Sequence, residues 1–268
     1  MLPRPCSAVA RLLAISAISW GVTACDKQPT PAPPPAPVET AAAGPKKIHA
    51  ADLDLLEVLT AGAHEDDTLP MIVAIHGMGD RPENWLDFFA TFPLPARVYF
   101  PRAPMPYGDG GSWFTYPPKS ADDLAQGIAA AGDRIAKAMV ELSKTKTRGR
   151  PIVTGFSQGG FVSFDLAVHH PEVIDAAFPM SGGLPAPLYP QSEIAARATA
   201  PIFAVHGTSD TMVPITMARA TVAKIVSLGG RAQLEEFPDV PHTVTTAMHD
   251  EISRHIEARL RTGDGGAW

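Results

Sequence analysis

Short apolar runs alternate along this chain with longer stretches whose apolar positions recur at helical spacing. Strands are expected at Asp54–Thr60, Met71–Ile75, Arg97–Phe100, Ile152–Thr154, Ala176–Met180, Ile202–His206 and Ala232–Phe237. Helices are expected at Pro82–Ala90, Ala121–Leu142, Gln158–His169, Thr216–Leu228 and Val244–Arg261. Strands separated by helices predict an α/β domain, with a mostly parallel sheet of about seven strands and helices on both faces. Pro82 suits a first helical turn, where its missing N–H costs little, and Pro171 should stop the helix before it. The longest irregular stretches, Pro101–Lys119 and Gly182–Ala195, belong near the carboxyl ends of strands, where open α/β sheets bind ligands. Neither is long enough for a large lid.

The pattern changes at the amino end. Arg4 and Arg11 precede an apolar stretch, Leu12 to Val22, too short to span a bilayer comfortably. Val22-Thr23-Ala24-Cys25 resembles a bacterial lipobox, which predicts a signal peptide over residues 1–24, cleavage before Cys25 and lipid on its thiol. An ordinary secretory signal with an incidental cysteine is the plainer alternative. Asp26 resembles the residue that retains enteric lipoproteins in the inner membrane, so the expected address is the periplasmic face of that membrane. Residues 25–45, rich in proline and alanine, favour extended polyproline II and read as a tether. Residues 46–268 are then a single folded α/β domain.

Composition adds limits. The chain is 45% hydrophobic and 19% charged, with a formal net charge of −6. The one basic cluster, Lys144 to Arg150, reads as a solvated loop, so nucleic acid is not an expected partner. Cys6 leaves with the signal peptide and Cys25 carries lipid, so the domain has no disulfide or cysteine metal site. The nine histidines show no metalloprotease spacing, and no metal or other cofactor is expected.

The chemistry concentrates at Gly155-Phe156-Ser157-Gln158-Gly159, a G-x-S-x-G sequence directly after an apolar strand and at the start of a helix. That context puts Ser157 on a sharp strand-to-helix bend, where the helix N-terminus favours a developing oxyanion. Two partners follow in the order serine, acid, histidine: Asp210 after the Ile202–His206 strand, and His242 after Phe237. Each gap has room for a crossover helix and a strand, so all three can reach one sheet edge. Ser157 would attack an ester or thioester carbonyl, His242 would carry the proton, and Asp210 would hold the imidazole. Asp239 is a rival acid but lies beside His242 on the same strand end; of the rival bases, His206 ends a strand before a glycine turn and reads as structural, and His249 falls within a helix. The oxyanion needs two backbone donors: the N–H of Gln158, and one from the His76-Gly77-Met78-Gly79-Asp80 loop, for which Met78 is the candidate. His76 and Asp80 read as braces of that loop.

These blocks resemble the phospholipase/carboxylesterase family of α/β-hydrolases, the group that includes acyl-protein thioesterases. The resemblance rests on His76–Asp80, Gly155-Phe156-Ser157-Gln158-Gly159-Gly160, Ser181-Gly182-Gly183-Leu184-Pro185, His206–Asp210 with Val213-Pro214, and His242, and spans roughly residues 70 to 262. It implies cofactor-free hydrolysis of small to medium carboxylic esters or thioesters, with Met78 and Gln158 as oxyanion donors. Pro241 stands where family members commonly have glycine, and Tyr107–Tyr116 matches the family loop only loosely. Trp113, Phe114 and Leu184 are candidates to line the substrate site, and packing over the sheet is the competing role for these side chains. Two other functions compete: a secreted polyester or feruloyl-type esterase, and a non-catalytic envelope lipoprotein that binds without turnover.

Overall fold

The computed structural model describes residues 44–262. The expected signal peptide, Cys25 and nearly all of the tether lie outside the described residues. Ten strands form: β1 (Lys46–Ala50), β2 (Leu53–Leu59), β3 (Leu69–Ile75), β4 (Arg97–Pro101), β5 (Met105–Tyr107), β6 (Gly110–Ser112), β7 (Thr147–Phe156), β8 (Ala176–Met180), β9 (Ile202–Gly207) and β10 (Ala232–Phe237). Eight make one sheet in the order β1-β2-β4-β3-β7-β8-β9-β10. The first two pairings, β1 with β2 and β2 with β4, are antiparallel, and every later one is parallel. This is the α/β-hydrolase architecture.

Strand residues alternate strictly between two apolar layers, as a sheet covered on both faces requires. Met71, Val73, Ile75, Val153, Ile202 and Ala204 join one layer, packed with helices α1 (Ala121–Leu142), α2 (Gln158–His169) and α4 (Ile215–Ser227). Ile72, Ala74, Val98, Phe178, Phe203 and Val205 join the other, with Trp85, Phe89 and helix α5 (Thr246–Thr262). A short α3 (Glu193–Ala198) completes the helices. Ser120 caps α1 by accepting from the Asp123 N–H at 3.1 Å, with Asp122 and Asp123 in the first turn.

The structure refines the expected layout at several points. The sheet has eight strands because β1 adds a polar, largely exposed edge strand, turned back at Ala51 (φ 51°). The 101–119 stretch is not irregular throughout; it contains the β5–β6 hairpin. The expected helix at Pro82–Ala90 forms as a 3-10 helix over Pro82–Phe89. In a 3-10 helix residues i and i+3 eclipse, and here Trp85 stacks on Phe88 with ring centroids 5.5 Å apart.

Helix α2 is buried along most of its length and carries the fully buried Asp165, whose carboxylate accepts from His169 Nδ1 at 2.8 Å. That bond pushes the His169 pKa above its usual 6.5, against the opposing effect of burial. A raised folded-state value means that the pair stabilises fully below about pH 6.5, and that the benefit fades as pH rises through the folded value. The difference in Tm between the wild type and His169→Gln should therefore shrink from pH 6 towards pH 9. A difference that grows with pH would reverse this sign.

Candidate active site

Between β7 and α2 the chain turns on a single residue, Ser157, held at φ 57° and ψ −117°. A non-glycine residue in that region costs about 1–3 kcal/mol, and it persists because buried structure on both sides fixes it. The flanking glycine has a steric cause. A Cβ on Gly159 would lie 1.9 Å from the Ile75 carbonyl oxygen, so α2 docks on the end of β3 only with glycine there. The Ser157 N–H donates to the Met180 carbonyl at 3.0 Å, which ties the bend to β8.

The other two side chains arrive from loops at the carboxyl ends of β9 and β10. Those loops are knitted by backbone bonds: Thr208 N–H to Phe237 O at 2.9 Å and Ser209 N–H to Val240 O at 3.0 Å. Gly207 permits the close approach, since a Cβ there would lie 2.2 Å from Val240 O. His242 Nε2 lies 2.9 Å from Ser157 Oγ, and His242 Nδ1 lies 2.7 Å from Asp210 Oδ2. A carboxylate only accepts, so the proton sits on Nδ1 and Nε2 faces the hydroxyl with its lone pair. Asp210 is fully buried as a side chain, and its Oδ1 accepts from the N–H groups of Met212 at 3.0 Å and Val213 at 2.8 Å. Asp239 instead occupies an exposed turn at φ 58°, its N–H bonded to Thr208 Oγ1. His249 sits on α5 against the Phe88 ring and bonds the Phe88 carbonyl.

The loop after β3 lies against the nucleophile. A Cβ on Gly77 would be 3.3 Å from the Ser157 Cβ, so the residue before Met78 packs directly against the serine. The Gln158 N–H opens α2, where no intrahelical acceptor exists. His76 is buried, donates from Nδ1 to Gly77 O at 2.7 Å and accepts the Ala103 N–H on Nε2 at 3.1 Å. Both nitrogens are used by the neutral ring, and burial lowers its pKa. Asp80 accepts from the Arg81 N–H, Asn84 and the Trp85 indole at 2.7–2.9 Å. The β5–β6 hairpin clamps this loop through Gly79 N–H to Gly111 O at 2.8 Å and Gly111 N–H to Asp80 O at 3.0 Å.

The three expected lining residues are built into walls rather than laid open. Trp113, Phe114 and Leu184 are 5%, 3% and 0% exposed. The Trp113 indole donates to His76 O at 2.8 Å, and the Phe114 ring packs edge-on to Phe161. The buried Gln158 side chain holds this segment, accepting from Trp113 N–H at 2.8 Å and donating to Phe114 O at 2.9 Å. Leu184 backs an apolar groove of about 420 Å³ with Leu124, Pro185, Tyr189, Pro214 and Met217. Sequence reasoning missed the exposed large side chains at this end, Met105, Tyr107 and Met212. Only their place in the stretches that follow β4 and β9 could have marked them. Among the described residues no group of three or more His, Cys, Asp or Glu side chains could hold a metal ion.

This sheet, with a serine on a strained bend beside a hydrogen-bonded histidine and acid, is that of an α/β-hydrolase. The chain belongs to the phospholipase/carboxylesterase family, whose profile matches residues 58–260. It is similar to the mouse lysophospholipase-like protein 1, 26% identical over 145 residues, which cover 53% of this chain and 58% of that protein's length. Arabidopsis thaliana carboxylesterase SOBER1 is 24% identical over 207 residues, or 71% of this chain and 90% of its own. Among solved structures, esterase PE8 superposes with a TM-score of 0.63 at 20% identity, covering 77% of this chain and 99% of that one. Zea mays acyl-protein thioesterase 2 gives 0.62 at 22% identity, covering 77% and 98%. At these identities the structures speak for the fold alone.

Proposed function

We propose that the chain is a carboxylic ester hydrolase that works through an acyl-enzyme on Ser157. The observation that carries this reading is the continuous row from Ser157 Oγ through His242 to Asp210, at 2.9 and 2.7 Å. As Oγ attacks the carbonyl carbon, His242 Nε2 takes its proton and Asp210 stabilises the imidazolium. The N–H groups of Met78 and Gln158 receive the oxyanion. The carbonyl then re-forms, the bond to the leaving oxygen breaks, and the alcohol departs with the proton from His242. Water, deprotonated by His242, attacks the acyl carbon, and Ser157 leaves with that proton to release the acid. A thioester follows the same steps with a thiol leaving.

None of the triad lines the groove of about 420 Å³, but its wall includes Pro214, which follows Val213 of the acid loop; we take it as the acyl site, and its volume, within the usual small-ligand range of roughly 300–1,000 Å³, favours small to medium esters. A p-nitrophenyl ester series from acetate to palmitate, run on residues 46–268, tests this. The highest kcat/KM should fall among the short and medium chains, and a maximum at palmitate would overturn the size assignment. Exposed Met105, Tyr107 and Met212, at 37%, 49% and 56%, favour bulky apolar esters as a second reading, which polyester or feruloyl ester hydrolysis in the same assay would reveal. We place the enzyme on the cell envelope through lipid on Cys25; the support is the small residues before Cys25 and the proline-rich stretch after it. No helix of the described residues is long and apolar enough to cross a membrane.

A further inference from the structure

His206 is a buried polar side chain that the proposed mechanism does not use. It lies at the carboxyl end of β9, with its side chain 1% exposed. Its Nε2 is 2.8 Å from the Val213 carbonyl oxygen and 3.4 Å from Asp210 Oδ2. A carbonyl can only accept, so the proton is on Nε2 and is given to Val213 O, with the carboxylate close beside it. Val213 is therefore held at both ends: its N–H donates to Asp210 Oδ1 and its carbonyl accepts from His206. The loop from Asp210 to Val213 closes on the His206 ring. Asp210 Oδ2, the oxygen that receives His242 Nδ1, lies between the two imidazoles.

We infer that His206 is the positioning residue for Asp210. Its Nε2–H closes the acid loop and fixes the carboxylate oxygen that orients His242. The inference rests on the serine hydrolase reading above and extends it to the residue behind the acid.

The surroundings suit a neutral ring. His206 Nδ1 is buried and meets no partner among the described residues, so a proton there would enter a place with no acceptor. Burial lowers the His206 pKa, with the nearby His242 acting in the same direction and Asp210 against it. The other charged side chain nearby is Glu236 on β10, at the partner register and drawn outwards by Arg219 through bonds of 2.8 and 2.5 Å. A cationic His206 would compete with the His242 imidazolium for one carboxylate. A neutral His206 supplies a fixed donor and leaves the negative charge to His242. A second buried polar atom without a partner among the described residues, Ser181 Oγ, follows β8 next to this point, and the Ser181 N–H bonds Val205 O at 3.0 Å. The region behind the acid is thus buried and polar, and His206 closes it through the Val213 carbonyl.

Three variants test the role on a p-nitrophenyl butyrate assay, with melting temperature and fluorophosphonate labelling beside it. His206→Gln keeps a donor at the reach of Nε2. His206→Asn stays polar but withdraws it, and His206→Leu removes it. Misplacement of a catalytic group by about 1 Å costs on the order of 100-fold, so Asn and Leu should lose about that in kcat with KM nearly unchanged. Gln should stay within about tenfold of the wild type. The downfield proton resonance of His242 Nδ1 should persist in Gln and vanish in Asn. If Leu does not fold, the Gln and Asn pair decides. An inert wild type that resists fluorophosphonate overturns the hydrolase reading and this inference with it. An active wild type beside a folded Asn variant of equal kcat, its His242 resonance intact, overturns this inference alone, as does a Gln variant no better than Asn.

Discussion

Ser157→Ala should abolish ester turnover, lowering kcat by about 10⁴- to 10⁶-fold, and should remove fluorophosphonate labelling altogether. The size of the loss follows from what remains. Alanine has no nucleophile, and the neighbouring base then has nothing to activate except water. The proposed oxyanion donors at Met78 and Gln158 are backbone N–H groups and survive the change, as does the groove, so a residual acceleration over water persists. Stability should hardly move. Ser157 is half-buried, its Oγ bonds His242, and alanine bears the same φ of 57° at a similar cost. A folded variant that retains turnover within tenfold of the wild type would refute the nucleophile assignment. A folded wild type that is itself inert on every ester would favour the competing reading of a lipoprotein that binds without turnover.

How far the site could be read from the chain depended on how local each cause was. The bend is local: apolar β7, two glycines and the start of α2 are adjacent in sequence, and their packing needs only β3 beside them. Helix α1 was legible to its end residues because Ser120 caps it and its apolar spacing is regular. Edge strand β1 was not, because Lys46-Lys47-Ile48-His49-Ala50 is polar and forms through pairing with β2 rather than through burial. Aromatic content alone could not tell a groove wall from a substrate contact at Trp113 and Phe114. What decided it was the Gln158 side chain, which reaches them across more than 40 positions. His206 looked like a strand end for the same reason. Its role depends on the loop folding back to bring Val213 against the ring, which a periodic pattern does not encode.

Arg259→Met should be among the most destabilising substitutions outside the site. The guanidinium donates from Nε and Nη2 to the two oxygens of Asp175, both at 2.6 Å, with the side chains only 7% and 6% exposed. The pair links the last turns of α5 to the residue before β8, over the apolar layer that holds Ile252, Ile256 and Phe203. Removing the arginine leaves a carboxylate out of water, and breaking such a pair from one side costs roughly 3–5 kcal/mol. Arg150 Nη2, 3.7 Å from Asp175 Oδ1 and nearly half exposed, can turn in and recover part of that. In a domain of this size each kcal/mol moves Tm by about 2–4 °C, so a fall of roughly 6–20 °C is expected. A double variant separates the stranded charge from the lost attraction. Asp175→Leu with Arg259→Met removes the carboxylate as well as its partner, and should melt above the single Arg259→Met protein. If the double variant melts lower than the single one, the Asp175 carboxylate still stabilises without Arg259, through Arg150, and a stranded charge is not what loosens α5. The Ser157–His242 distance should be unaffected at 25 °C in either folded protein, so kcat per active molecule stays near wild type while heat inactivation quickens.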